Sequence, residues 1–117
     1  MQGETLNIQG MVRISEGLKN KMPKNAVLFL FVRNLNGKRG PPLAVQRLPK
    51  AKMPLKFLLG PQDIMIPGTP FDGQMLLTGR IDADGDARVG AGDIEGFIKV
   101  KPGDNDVELF LNHLTEG

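Results

Sequence analysis

The chain has 117 residues, of which 40% are hydrophobic and 24% are charged, and its formal net charge at pH 7 is +2. This length and composition predict one globular domain over residues 1–117, with its own hydrophobic core. The absence of Cys excludes disulfides, thiolate metal sites and Cys nucleophiles. No apolar run approaches the roughly 20 residues of a membrane-spanning helix.

The N-terminal half is predicted to be strands separated by turns. Apolar and polar residues alternate from Leu6 to Ile14, which is typical of a half-buried strand. One or two helical turns are expected over 16–22. A strand that is apolar on both faces follows at Val27–Arg33, and Asn36-Gly37 is a hairpin signal leading to a return strand at Leu43–Leu48.

The C-terminal half continues in the same way. Strands are predicted at Leu55–Leu59, Met75–Ile81, Phe97–Lys101 and Val107–Leu111, and the Pro- and Gly-rich segment 60–73 is predicted to be a loop. About seven short strands, with turn signals every 8 to 15 residues and no long amphipathic helix, predict an all-β, antiparallel, two-sheet sandwich.

The strand pattern also predicts which residues form the core. We expect ten apolar residues to be mostly buried: Ile8, Val12, Phe29, Phe31, Val45, Phe57, Leu77, Ile81, Leu109 and Leu111. The six Phe lie in apolar runs and are expected in the core rather than as stacking platforms for bases. No nucleic-acid partner is therefore expected.

Charge is divided unevenly along the chain. Residues 17–62 contain ten Lys or Arg and no acid, whereas residues 63–117 contain eleven acids and four bases. A basic half is suited to phosphate, anionic lipid or an acidic protein. Solvated outward positions of strands and loops are the favoured explanation of the same pattern.

One acidic segment has the spacing of a calcium loop. Asp82, Asp84, Asp86 and Asp93 occupy positions 1, 3, 5 and 12 of such a loop. Ala87 stands where the loop needs Gly for its sharp turn, and neither flank has a helical pattern. A hairpin turn is the favoured interpretation, and no metal site is predicted.

Copper binding and catalysis find less support. His113 is the only His, and the six Met show no clustering, so gap-filling in the core explains the Met better than Cu(I) does. The sequence has no nucleophile–base grouping, phosphate loop or HExxH motif. We therefore expect a protein that is not an enzyme and needs no cofactor.

Several sequence blocks, in this order, resemble a known family: VLFLFVR (27–33), PPLAVQR (41–47), MPLKFLL (53–59) and LLTGRIDADGDARVGAGDIEG (76–96). Together they are similar to the C-terminal immunoglobulin-like domain of the CycH/CcmI-type cytochrome c biogenesis proteins, over roughly residues 8 to 112. The resemblance implies an immunoglobulin-like sandwich on the periplasmic side of the membrane.

The resemblance implies a non-catalytic interaction or scaffold module with protein partners in cytochrome c maturation. In the family this domain follows a tetratricopeptide domain that holds apocytochrome c, and those helices are not in this sequence. The chain is then expected to be a fragment of a larger membrane-anchored subunit or a free-standing relative. Two alternatives remain open: a sandwich that binds calcium or copper, and an unrelated small enzyme domain.

Two sets of site residues follow. The first matches the family's recurring positions, where an ion pair between the late acid and an early arginine is expected to fix strand register: Arg33, Arg47, Gly92, Asp93 and Gly96. The second is a set of basic residues in turns bracketed by Pro or Gly, expected to contact an acidic protein partner or an anionic membrane: Lys38, Arg39, Lys50 and Lys52.

Overall fold

The computed structural model describes residues 6–22, 26–35, 42–65, 68, 71–82 and 93–114. Short 3₁₀ helices lie at Glu16–Lys21 and Pro61–Asp63. The strands in these ranges are β1 (Ile8–Ile14), β2 (Val27–Asn34), β3 (Ala44–Leu48), β4 (Leu55–Leu59), β5 (Met75–Asp82), β6 (Ile94–Val100), β7 (Val107–Leu111) and β8 (His113–Leu114).

The strands form two sheets. One has three strands in the order β4-β1-β7, and the other has five in the order β3-β2-β5-β6-β8. All recorded strand pairs are antiparallel except β1 with β7, which is parallel. The predicted antiparallel, immunoglobulin-like β-sandwich is confirmed.

The core lies between the two sheets. A Cβ placed on Gly79 of β5 would come within 2.8 Å of Leu109, 3.1 Å of Leu111 and 3.3 Å of Leu30. The inner face of the five-stranded sheet therefore packs directly on β7 of the other sheet. The largest fully buried side chains are Ile8, Leu28, Leu30, Leu59, Met75, Leu77, Ile81, Ile94, Leu109, Leu111, Val12 and Val32.

The prediction that Phe29 and Phe31 of β2 face the core was wrong. Leu30 faces the core beside Gly79, so Phe29 and Phe31 point to the opposite side of the sheet. Phe29 is 9% exposed, and Phe31 and its neighbour Val45 on β3 are half-buried. Because β2 is a central strand with apolar residues on both faces, its alternation does not identify the inner one. Phe29 is still buried as predicted, as are the other seven predicted core residues.

Strand β6 begins at Ile94, three residues earlier than predicted. The sequence pattern did not indicate this start, because Gly96 interrupts it and Gly is a poor strand former. The structure requires Gly there, since a Cβ would overlap the carbonyl oxygen of Phe110 where β7 crosses β6. The predicted helical turns at 16–22 are a 3₁₀ helix. None of the helices in the described ranges is long and apolar enough to cross a membrane.

Candidate functional site on the outer face of the five-stranded sheet

The basic turn after β3 lies at one end of the sandwich. Lys50 and Lys52 are exposed, and Lys50 has a φ of 55°, in the left-handed region. The amide of Ala51 donates a hydrogen bond of 2.9 Å to the carbonyl of Ala26, which ties the turn to the start of β2. Lys38 and Arg39 lie outside the described residues. Strand β2 ends, and β3 begins, at the opposite end of the sheet.

The two early arginines of the family pattern are on the surface. Arg33 and Arg47 are exposed on β2 and β3, on the face that points away from the core. The guanidinium carbon of Arg33 lies 5.1 Å from the centre of the Phe31 ring, a cation–π arrangement. These arginines are therefore surface groups rather than internal scaffolding.

The late acid pairs with a different arginine from the ones expected. Asp93 is 1% exposed, and its Oδ2 lies 3.8 Å from Nε of Arg80, which is itself 8% exposed. The two residues are diagonal neighbours on adjacent strands. Arg80 precedes Ile81 on β5, Asp93 precedes Ile94 at the start of β6, and Ile81 and Ile94 are paired. Arg80 also lies over the Phe29 ring at 5.8 Å. The expected pairing of Asp93 with Arg33 or Arg47 is replaced by this one.

Arg80 was missed as a site residue although it stands in the quoted TGRI block. Finding it requires the register between β5 and β6. Arg80 pairs with Glu95, so Asp93 is placed near Arg80 only if β6 is predicted to start at Ile94. Gly96 has a packing role in the same hairpin, and Gly92 lies outside the described residues.

The candidate metal ligands are only partly described. Asp82 ends β5 and, like Asp93, is 1% exposed, while Asp84 and Asp86 lie outside the described residues. A guanidinium near Asp93 already balances part of the negative charge that a calcium ion would need. No cluster of three His, Cys, Asp or Glu suited to a metal occurs within the described ranges.

The copper candidates are spread over the molecule. His113 is exposed on β8. Met75 is fully buried, and Met22 and Met53 pack against the core, as gap-filling predicts, whereas Met65 is 52% exposed.

One row across the outer face of the five-stranded sheet consists of three apolar residues and one Thr, and we call it the apolar row. Val45, Phe31, Thr78 and Phe97 lie side by side on β3, β2, β5 and β6. Phe97 is 69% exposed, while the other three are half-buried. Since neighbouring strands are roughly 4.8 Å apart, the row extends roughly 14 Å across the sheet.

Charged side chains lie on both sides of this row. The flanking rows hold Arg33, Leu76 and Lys99 on one side and Arg47, Phe29, Arg80 and Glu95 on the other. Arg33, Arg47 and Lys99 are exposed, whereas Glu95 is half-buried. Each flanking row is roughly 6.6 Å from the apolar one along the strands. We call the apolar row with Arg33, Arg47 and Lys99 the outer patch.

Phe97 was predicted to be in the core, and this was wrong. Its position follows from alternation once β6 starts at Ile94, because Ile94 and Gly96 then face inward and Phe97 faces outward. Phe110 was expected inside for the same reason and is 48% exposed on the other sheet.

The described residues also form two open grooves, one away from the outer patch and one that borders it at Lys99. One, of about 420 Å³, is formed by the end of β1, the first 3₁₀ helix, Met53, Pro54 and Phe110. The other, of about 470 Å³, lies between Lys99 and the turn that leads to β7. The first is lined by Ser15, Glu16 and Lys19 among its polar residues, and neither is lined by His or Cys.

Comparison with known proteins gives a family and a fold. The family model described as the cytochrome c-type biogenesis protein H Ig-like domain matches residues 8–112. An uncharacterised protein of Aquifex aeolicus is 28% identical over 109 residues, which cover 93% of this chain and 72% of that protein.

A solved structure has a similar fold. It is an alternative pilotin from the type II secretion system of Vibrio cholerae, with a TM-score of 0.60 and 18% identity, covering 97% of this chain and 100% of that one. At this identity the likeness concerns the fold alone. The family match extends from the first residue of β1 to the residue after β7. The chain therefore belongs to the family of the Ig-like domain of cytochrome c-type biogenesis protein H.

Proposed function

We propose that this domain is a non-catalytic interaction module that serves cytochrome c biogenesis on the periplasmic side of the membrane. It works there as part of a larger membrane-anchored subunit or as a free-standing relative of one. The observation that carries the proposal is the family match over residues 8–112, which includes seven of the eight described strands. A rigid sandwich with side chains presented on flat faces is suited to holding a partner.

The basic turns are proposed to guide the partner to this domain. Lys50 and Lys52 are exposed at one end of the sandwich, and the hydrogen bond from Ala51 to Ala26 holds their turn in place. Lys38 and Arg39 are proposed to add to the same field. Exposed charges of this kind raise association rates, and salt weakens their effect.

The function is tested in cells that assemble c-type cytochromes. Deleting the domain should lower the amount of holocytochrome c, measured by haem staining, and restoring the wild-type domain should bring it back. Protease added to spheroplasts should degrade the domain, since it is proposed to face the periplasm. Unchanged holocytochrome c after deletion would refute the role in biogenesis, and protection from protease would refute the location.

A further inference from the structure

The outer patch has the features of a docking site. We propose that it binds an acidic segment of a partner protein that also carries apolar side chains, with Phe97, at one end of the row, as the aromatic anchor. This proposal rests on the interaction module proposed above and names its surface and the chemistry of its partner.

The first reason is the exposure of Phe97. A ring that is 69% exposed in the middle of a strand gains contact area only when something covers it. Thr78 lies directly beside Phe97, and the row continues through Phe31 to Val45, which are half-buried and form a shallow surface leading away from the ring. Aromatic anchors surrounded by less exposed apolar contacts are typical of binding hot spots.

The second reason is charge complementarity. Arg33, Arg47 and Lys99 surround the apolar row, and no described acid forms an ion pair with any of them. Glu95 is the one half-buried acid in the flanking rows. Three exposed cations against one partly covered carboxylate favour a segment with several Asp or Glu.

The third reason is that the patch is preorganised. Phe97 lies opposite Thr78 in a paired strand, and Arg33 rests on the Phe31 ring. Side chains that are already ordered lose less entropy when a partner binds. Because the patch is the face of a sheet and not its edge, side chains rather than backbone pairing would select the partner.

Anionic lipid and single-stranded nucleic acid fit the patch less well. A bilayer surface favours several protruding apolar side chains, and in this row only Phe97 is exposed. Stacking of successive bases needs several exposed rings, whereas Phe31 is half-buried and Phe29 is 9% exposed.

The test begins with an unbiased selection on the purified chain. A phage-displayed library of random peptides of about sixteen residues is used, since such a peptide crosses the patch even as a helix rising 1.5 Å per residue. Enriched peptides are synthesised and titrated against the wild type and Phe97→Ser. The matched control is Phe110→Ser, an exposed Phe on the other sheet.

The charges are tested with a second matched pair of variants. Arg33→Glu/Arg47→Glu/Lys99→Glu reverses the cations of the patch, and Lys21→Glu/Lys56→Glu/Lys101→Glu reverses three exposed cations elsewhere. Circular dichroism of each variant verifies the fold. Vesicles of phosphatidylglycerol in phosphatidylcholine and a labelled oligothymidylate are titrated in parallel.

The expected peptides are rich in Asp and Glu and contain aromatic or aliphatic residues. Phe97→Ser and the charge reversal in the patch should each raise the Kd of these peptides by at least about tenfold, while the Kd for both controls stays within about twofold of the wild type. The proposal is overturned if no peptides are enriched, if they are not acidic, or if Phe97→Ser has no effect. It is also overturned if vesicles or oligothymidylate bind through Phe97.

The two proposals fail in different ways. If acidic peptides bind as expected but deletion of the domain leaves the amount of holocytochrome c unchanged, the docking site is supported and the proposed function is refuted. If the amount of holocytochrome c depends on the domain but not on Phe97, and peptide binding is insensitive to Phe97→Ser, the proposed function is supported and the docking site is refuted.

Discussion

The outer faces of the two sheets are similar in apolar content and differ in charge. The three-stranded sheet exposes Leu58 at 43% and Phe110 at 48%, and the five-stranded sheet exposes Phe97 at 69%. On the former, Nε of Arg13 lies 2.7 Å from Oε1 of Glu108 on the neighbouring strand. On the latter, the exposed cations of the outer patch have no described acid as an ion-pair partner.

This difference shows why exposed apolar area alone does not identify a binding face. An exposed ion pair such as Arg13–Glu108 contributes about 0–1 kcal/mol to stability, but it leaves little net charge to attract a partner. The outer patch keeps its positive charge available beside an aromatic anchor. The buried groups beside it, Arg80 and Asp93, form an ion pair on the same face of the sheet.

The largest expected effect separates the two faces of β2. Leu30→Ala should lower the free energy of unfolding by about 4 kcal/mol, because Leu30 is fully buried between the sheets. Phe29→Ala should cost about 2 kcal/mol, because its ring packs on the outer face over Arg80. Urea denaturation of both variants measures the difference. A larger loss for Phe29→Ala would mean that the inner face of β2 is misassigned.

The next effect concerns the buried Arg80–Asp93 pair beside the outer patch. Asp93→Ala should destabilise the fold by about 3 kcal/mol, because it leaves the guanidinium of Arg80 buried without this carboxylate. The double variant Arg80→Met/Asp93→Leu should recover part of the loss, since it removes both charges. Thermal denaturation compares the two. Equal losses in the single and double variants would show that the pair is not the source of the effect.

A smaller loss is expected where β6 passes under β7. Gly96→Ala should cost about 2 kcal/mol, because the new methyl group must displace the backbone at Phe110. Gly17→Ala is the control, since nothing lies within 4 Å of a Cβ there. Equilibrium unfolding in urea gives both values. Similar stabilities for the two variants would refute the close crossing of these strands.

The smallest expected effect on stability belongs to the basic turns. Reversing Lys38, Arg39, Lys50 and Lys52 to Glu should change the free energy of unfolding by less than about 0.5 kcal/mol. The reversal should slow association with an acidic partner at low salt and have less effect at high salt. Stopped-flow or biosensor kinetics with a selected acidic peptide measure both. An association rate that is unchanged at low salt would leave these residues as solvated surface.

The sequence predicted the class of fold because alternation and turn signals are local. It placed six of seven strand starts within two residues, and β6 was the exception because Gly96 interrupts the pattern. The outer patch was not predicted, because its residues come from four strands and only the register between those strands brings them side by side. No local pattern shows that Phe97 is level with Phe31, or that Arg80 rather than Arg33 meets Asp93.

The most direct test of the outer patch as the docking site uses a photo-cross-linking amino acid in living cells. It replaces Phe97 in one strain and Phe110 in another, and adducts formed on illumination are identified by mass spectrometry. The account predicts adducts at position 97 with a protein of cytochrome c biogenesis, and far fewer at position 110. Adducts at 110 alone, equal adducts at both positions, or none with any biogenesis protein at position 97 would contradict it.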